Sequence, residues 1–182
     1  MWLVKKYKMA EVHIIGQILE ADGFSDTSLF CKWLMKVGGG WKVVEGETSG
    51  QTQTDTSSLS KTYFCHPIDV HLSTKTIQNW PKIHIEVWHL DSYDRQEIRG
   101  YGTTFIPSTP GSHLVQCLIW KPQGSTKDEI MQKFLGGGIQ LKSLSILDNP
   151  LDLMKLHTVS MGVVNLRLNI ILRNFDKFGI TC

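Results

Sequence analysis

A chain of 182 residues, 41% apolar, 20% charged and with six tryptophans, is long enough for one domain with its own core and too apolar to stay disordered. Its net charge of +2 shows no excess of basic residues of the kind with which a nucleic-acid binder displaces phosphate counterions, so no nucleic-acid partner is expected. No apolar run approaches the roughly 20 residues of a membrane-spanning helix, and the apolar run after Met1 is too short for a cleaved leader, so neither a transmembrane nor a secreted protein is expected.

Most of the chain alternates with period two, the pattern of a strand with one buried face. Residues 12–19 open the series. In 31–37, Cys31, Trp33, Met35 and Val37 share one face, while Phe30, Lys32, Leu34 and Lys36 share the other. Gly38-Gly39-Gly40 ends that strand, and 41–45 is expected to pair back across the glycines as a hairpin. Residues 46–61, rich in Ser, Thr, Gln and Gly, read as a long loop. Strands resume at 67–73 and 83–90, where Ile68, Val70 and Leu72, then Ile83, Ile85 and Val87, mark the core faces. Two more follow at 97–106 and 113–120, divided by Pro107 and the turn dipeptide Pro110-Gly111.

One segment departs from this rule. Ser125 with Asp128, or Thr126 with Glu129, forms a capping box, Ile130, Met131, Phe134 and Leu135 follow at helical spacing, and Gly136 closes the helix. The last strand, 163–173, carries the clearest alternation, with Val164, Leu166, Leu168, Ile170 and Leu172 on one face. About eight strands with one short crossover helix predict an all-β antiparallel sandwich.

Chemistry-bearing patterns are sparse. Cys31, Cys65, Cys117 and Cys182 show no paired spacing of the metal-knuckle or redox type and read as reduced thiols. Cys65-His66 with Asp69 and His71 invites a zinc reading, but one adjacent pair falls short of four converging ligands, and His71 alternates outward from Ile68 and Val70, so no metal site is expected. The chain has no nucleophile elbow, phosphate loop or dinucleotide turn, and its glycine triplets follow structured segments instead of opening a helix, which argues against an enzyme and against a bound cofactor. The loop Asp91-Ser92-Tyr93-Asp94-Arg95-Gln96-Glu97 holds carboxylates between two strands, an arrangement that serves either calcium or simply a turn. Trp88 alternates away from Ile83, Ile85 and Val87, so either the sandwich is buried on both sides there or the indole is an interface anchor.

The unit 83–106 resembles the third calcium-loop region of C2 domains. With MAEVHIIGQI (9–18), SLFCKW (28–33), GQTQTDT (50–56), HPIDVH (66–71), DSYDR (91–95), GYG (100–102), PGSH (110–113), GGGIQL (136–141), LHT (156–158) and LRNFDKFG (172–179), the chain resembles the B9-domain family along nearly its whole length. That pattern begins at Met9, so residues 1–8 are expected to be a disordered extension and 9–182 the B9, C2-like domain. The resemblance implies a non-enzymatic subunit of the Meckel-type, tectonic-like complex at the basal body and transition zone of the cilium. It implies roles in ciliogenesis, Hedgehog signalling and the diffusion barrier between plasma and ciliary membranes. The implied partners are B9 domain-containing protein 1, the Meckel syndrome type 1 protein and tectonic-type components, in the cytoplasm and cytoskeleton. Against the C2 pattern the calcium positions fall on His89, Asp91 and Glu97, a degenerate set from which no calcium site is expected. The alternative reading is a peripheral, calcium-independent lipid module drawing on Lys32, Lys36, Lys42 and Arg99.

Overall fold

Among the described residues nine strands account for nearly all the regular structure: β1 (Ala10–Asp22), β2 (Leu29–Lys36), β3 (Trp41–Gly46), β4 (Ser49–Gln51), β5 (Lys61–Thr74), β6 (Lys82–Leu90), β7 (Gln96–Phe105), β8 (Gly111–Pro122) and β9 (Thr158–Arg173). A computed structural model describes residues 9–56, 61–124, 140–141, 143–148 and 153–179. All pairings are antiparallel, in the order β3-β5-β1-β9-β8-β7-β6-β2-β4. Between β7 and β8 only Tyr101 and Trp120 pair. There the sheet folds over into two layers, β3-β5-β1-β9-β8 against β7-β6-β2-β4, and their inward side chains form one core.

The alternation read from the sequence decides which side chains fill that core. Val164, Leu166, Leu168, Ile170 and Leu172 of β9 are buried, as are Ile83, Ile85 and Val87 of β6 and Cys31, Trp33 and Met35 of β2. Glycine sets the corner. A Cβ on Gly100 or Gly102 would lie 2.8 Å from the carbonyl oxygen of Trp120 or Leu118, so the GYG stretch is the place where β7 lets the β8 backbone pass. One end of the sandwich is closed by aromatics: Trp41 meets Trp80 edge-on at 5.0 Å, and the fully buried Phe175 lies 6.2 Å from Trp80.

Three expectations change. Among the described residues the strands number nine, where about eight were expected. Residues 41–46 do not return to β2 but cross to the other layer and pair with β5, because both edges of β2 are already occupied, by β6 and β4. The stretch expected to be a loop instead runs along β2: β4 pairs with Lys32 to Leu34, Thr52 Oγ1 accepts from Cys31 N at 2.9 Å, and Asp55 bridges Leu29. Polar residues there bond the edge of β2 rather than packing a core, so they leave no hydrophobic period to read. The crossover helix expected after Ser125, and residues 1–8, lie outside the described residues.

Candidate interaction surfaces

The acidic loop closes the β6–β7 hairpin at one end of the sandwich. Two of its carboxylates, Asp91 and Glu97, are engaged by the chain itself. Asp91 Oδ1 accepts from the backbone N–H groups of Tyr93 and Arg95, both at 2.8 Å, and its Oδ2 accepts from Arg95 Nε at 2.7 Å. Those bonds, from the Arg95 backbone first, hold the Asp91 carboxyl below the usual carboxylate range against the opposing effect of its burial. Glu97 accepts from Arg99 Nη1 at 2.8 Å, and Arg99 also grips both oxygens of Asp26, at 2.8 and 3.0 Å. His89 Nδ1 faces the carbonyl oxygen of Thr27 at 2.7 Å. The degenerate calcium positions are thus near one another, but arginines already pair with the carboxylates of Asp91 and Glu97.

The outer face of the β7-β6-β2 layer carries a second, smaller apolar cluster. Ile98, Tyr101 and Leu147 are buried in it, with Trp88, Trp120, Leu141, Leu144 and Leu153 packed around them. Trp88 belongs here: its indole N–H donates to Glu86 at 2.9 Å, its ring stacks 6.4 Å from Phe30, and Lys32 Nζ sits 4.2 Å over its ring. Sequence reasoning overlooked what covers this face. The chain returns over it between Leu141, whose N–H donates to the Tyr101 hydroxyl at 2.9 Å, and a 3₁₀ turn at Leu144–Asp148.

Asp148 fastens that return. Its carboxylate pairs with Lys36 Nζ at 2.5 Å and Lys82 Nζ at 2.6 Å, and with His84 Nε2 at 3.2 Å; His84 Nδ1 lies 2.7 Å from Thr103 Oγ1. Burial opposes ionisation of Asp148, but the two lysines outweigh it and draw the carboxyl down to about 2. Burial lowers the affinity of His84 for a proton, with Asp148 opposing. The sequence signal was present in Lys36, Lys82 and His84, polar residues at outward positions of core strands. Three of the four basic residues offered for a lipid reading are likewise engaged, Lys32 by Trp88 and Gln96, Lys36 by Asp148, and Arg99 by Asp26 and Glu97.

The outer face of the β5-β1-β9-β8 layer differs. Strand register sets its rows: Pro67, Gln17, Arg167 and Leu114 lie across one row, and Lys61, Asp22, Val163 and Leu118 across another. Leu114 and Leu118 are 74% and 69% exposed, while Cys117 and Ile119 between and beyond them are fully buried. Ile15, Tyr63 and Ile171 are exposed on the same face, and Leu114 lines a shallow cavity with Tyr63, Cys65 and Arg167. Beyond Tyr101–Trp120 no strand pairs with the outer edge of β8 among the described residues. Apolar residues on both faces of 114–119 were the legible clue.

The Cys65-His66-Asp69-His71 group does not converge. Cys65 is exposed at a positive φ of 47°, His66 turns to the Trp33 ring at 6.2 Å, and His71 meets side chains of β1 instead. Cys31 and Cys117 are buried free thiols, and burial pushes the Cys117 thiol up to about 12, which makes it inert. Among the described residues no helix is long and apolar enough to cross a membrane.

Comparison with known proteins is consistent along the chain. The model of a family described as ciliary basal body-associated, B9 protein, matches residues 12–171. A protein of Danio rerio named B9 domain-containing protein 2 is 49% identical over 173 residues, covering 94% of this chain and 99% of its own length. The Homo sapiens protein named tectonic-like complex member MKS1 is 29% identical over 175 residues, covering 85% of this chain and 31% of that protein. Among solved structures, a C2 domain of plant extended synaptotagmin 1 aligns over 91% of this chain and 96% of its own, with a TM-score of 0.45 and 11% identity.

Proposed function

From the premise that this chain belongs to the ciliary basal body-associated B9 family, we propose that it is a non-enzymatic assembly subunit of a tectonic-like complex at the ciliary transition zone. In this reading it binds other B9-domain proteins, B9 domain-containing protein 1 and the Meckel syndrome type 1 protein among them, and supports ciliogenesis and the diffusion barrier at the ciliary base. The observation that carries the assembly role is the outer face of β8, where Leu114 and Leu118 stand exposed beside a strand edge left unpaired among the described residues. Such an edge is a ready template for another chain, and apolar side chains beside it add the burial that a stable contact needs. Trp88, the other residue considered as an anchor, packs into the chain's own cluster on the opposite layer and is not assigned to this contact. Calcium has no part in this reading, because Arg95 and Arg99 hold the charge that the ion would supply.

Co-expression tests it directly. The chain is expected to elute with its B9-domain partners as one species by size-exclusion chromatography, and the Leu114→Glu/Leu118→Glu variant to elute alone with an unchanged circular dichroism spectrum. A monodisperse wild-type chain that binds neither partner contradicts the assembly role.

A further inference from the structure

On the outer face of the β3-β5-β1 layer, away from Leu118 and from the acidic loop, three donor side chains converge. His13 of β1 and His71 of β5 sit directly opposite in the strand register, and their rings stack at 3.8 Å with 17° between planes. Glu11, two residues along β1 and therefore on the same face, brings Oε2 to 3.7 Å from His71 Nε2. One donor atom from each of the three lies within 4.8 Å of the others. Neighbouring donors around a tetrahedral zinc with bonds of ~2.0–2.1 Å are themselves about 3.3 Å apart, and because an imidazole lone pair lies in its ring plane, the stacked rings must turn out of parallel for both to face one ion.

Two further observations point to a ligand. The His71 Nε2 atom is shielded from solvent and, among the described residues, has no hydrogen-bond partner, since 3.7 Å to Glu11 is too long for one. Such a nitrogen is disfavoured unless something occupies its lone pair or takes its proton. Above the pair lies a cavity of about 380 Å³ lined by His13, His71, Glu45 and Asp69, with Glu45 directly opposite His71 on β3, so a second carboxylate and water have room to join.

We infer that Glu11, His13 and His71 form a binding site for a divalent first-row transition ion of the zinc class. Two imidazoles with a carboxylate suit zinc, whereas calcium and magnesium require hard oxygen donors throughout. The ion would tie β1 to β5 where β1 begins. One group opposes it: Arg173 Nη1 lies 3.6 Å from Glu11 Oε2 and competes for that carboxylate. This gives the inference a test of opposite signs.

The full chain, stripped of metal and carrying Cys65→Ser and Cys182→Ser to remove competing thiols, is titrated with zinc chloride by calorimetry and followed by thermal melting. The site predicts one zinc per chain at micromolar affinity with a raised melting midpoint. His71→Gln is expected to weaken binding more than roughly 100-fold, and Arg173→Gln to tighten it severalfold. Zinc affinity retained within about threefold in the His13→Gln/His71→Gln double variant, or no zinc binding by the parent chain, overturns the site. Cobalt substitution provides an independent readout: intense visible absorption marks a four-coordinate site, and its absence from a cobalt-loaded parent chain contradicts the assigned ligands.

Discussion

The two outer faces of the sandwich are built from the same kind of strand, yet one is covered by its own chain and the other is bare among the described residues. On the β7-β6-β2 layer, Trp88, Tyr101 and Trp120 lie under a return of the chain that Asp148 fastens to Lys36, Lys82 and His84. On the β5-β1-β9-β8 layer, Leu114 and Leu118 stand in solvent among Arg167, Asn165 and Gln116. The difference lies in the outward residues. Large aromatics and a charge cluster give a covering segment both apolar area and a specific anchor, whereas isolated leucines between polar neighbours give area without an internal partner. Among the described residues the second face is therefore the one left uncovered.

The largest expected effect contrasts inside with outside. Leu168 is fully buried on β9, and Leu118 is mostly exposed on the adjacent strand. Leu168→Asp removes ~2–5 kcal/mol of packing and adds an unpaired buried charge, enough to unfold a domain stable by only ~5–15 kcal/mol. Leu118→Asp is expected to stay within ~0.5 kcal/mol of the parent in stability and to lose partner binding. Equal melting midpoints for the two variants would mean that β9 does not face the core.

A smaller effect probes the covered face. Asp148→Asn leaves Lys36 and Lys82 without their counter-ion and is expected to lower stability by about 1–3 kcal/mol at neutral pH. Because the folded-state carboxyl is depressed to about 2 from an ordinary 3.8, its contribution is complete above the ordinary value and is lost as pH falls from there towards 2. Urea titrations should therefore find variant and parent converging across that window. A constant gap would show that the return segment is not held by this charge.

The smallest effect concerns the acidic loop. Calcium titration by calorimetry is expected to give no micromolar binding, and Asp91→Asn to lower the melting midpoint less than Asp148→Asn, because an asparagine oxygen still accepts the Tyr93 and Arg95 N–H groups. A calcium signal abolished by Asp91→Asn would revive the ion-dependent reading. Asp91 is nevertheless more than a solvated loop residue, since it organises the turn through three bonds.

Period two is why so much of the fold was legible: the inward sets of β2, β6 and β9 follow from alternation alone. Pairing was less so. The partner of 41–46 depends on which strand edges are free, and that is decided by residues far away in sequence. The 46–61 stretch hid β4 because its contribution is hydrogen bonding by Thr52 and Asp55, not apolar burial. For the sites, His89, Asp91 and Glu97 were found at one loop, and their arginines are close in sequence, Arg95 bonding Asp91 and Arg99 bonding Glu97, whereas the grip of Arg99 on Asp26, 73 residues away, could not be read from spacing. The His13–His71 pair was invisible for the same reason: strand register, not spacing, makes them neighbours.

The open face carries its own reporter. Cys65 is exposed beside Leu114, Tyr63 and Arg167, while Cys31 and Cys117 are buried. In a Cys182→Ser background, the rate of Cys65 alkylation by a small maleimide, measured for the chain alone and for the co-purified complex, tests whether that face binds another subunit. The expected result is rapid labelling of the free chain, slowed more than roughly tenfold in the complex by the contact that excludes solvent. An unchanged rate in a complex proven intact would contradict assembly through this face.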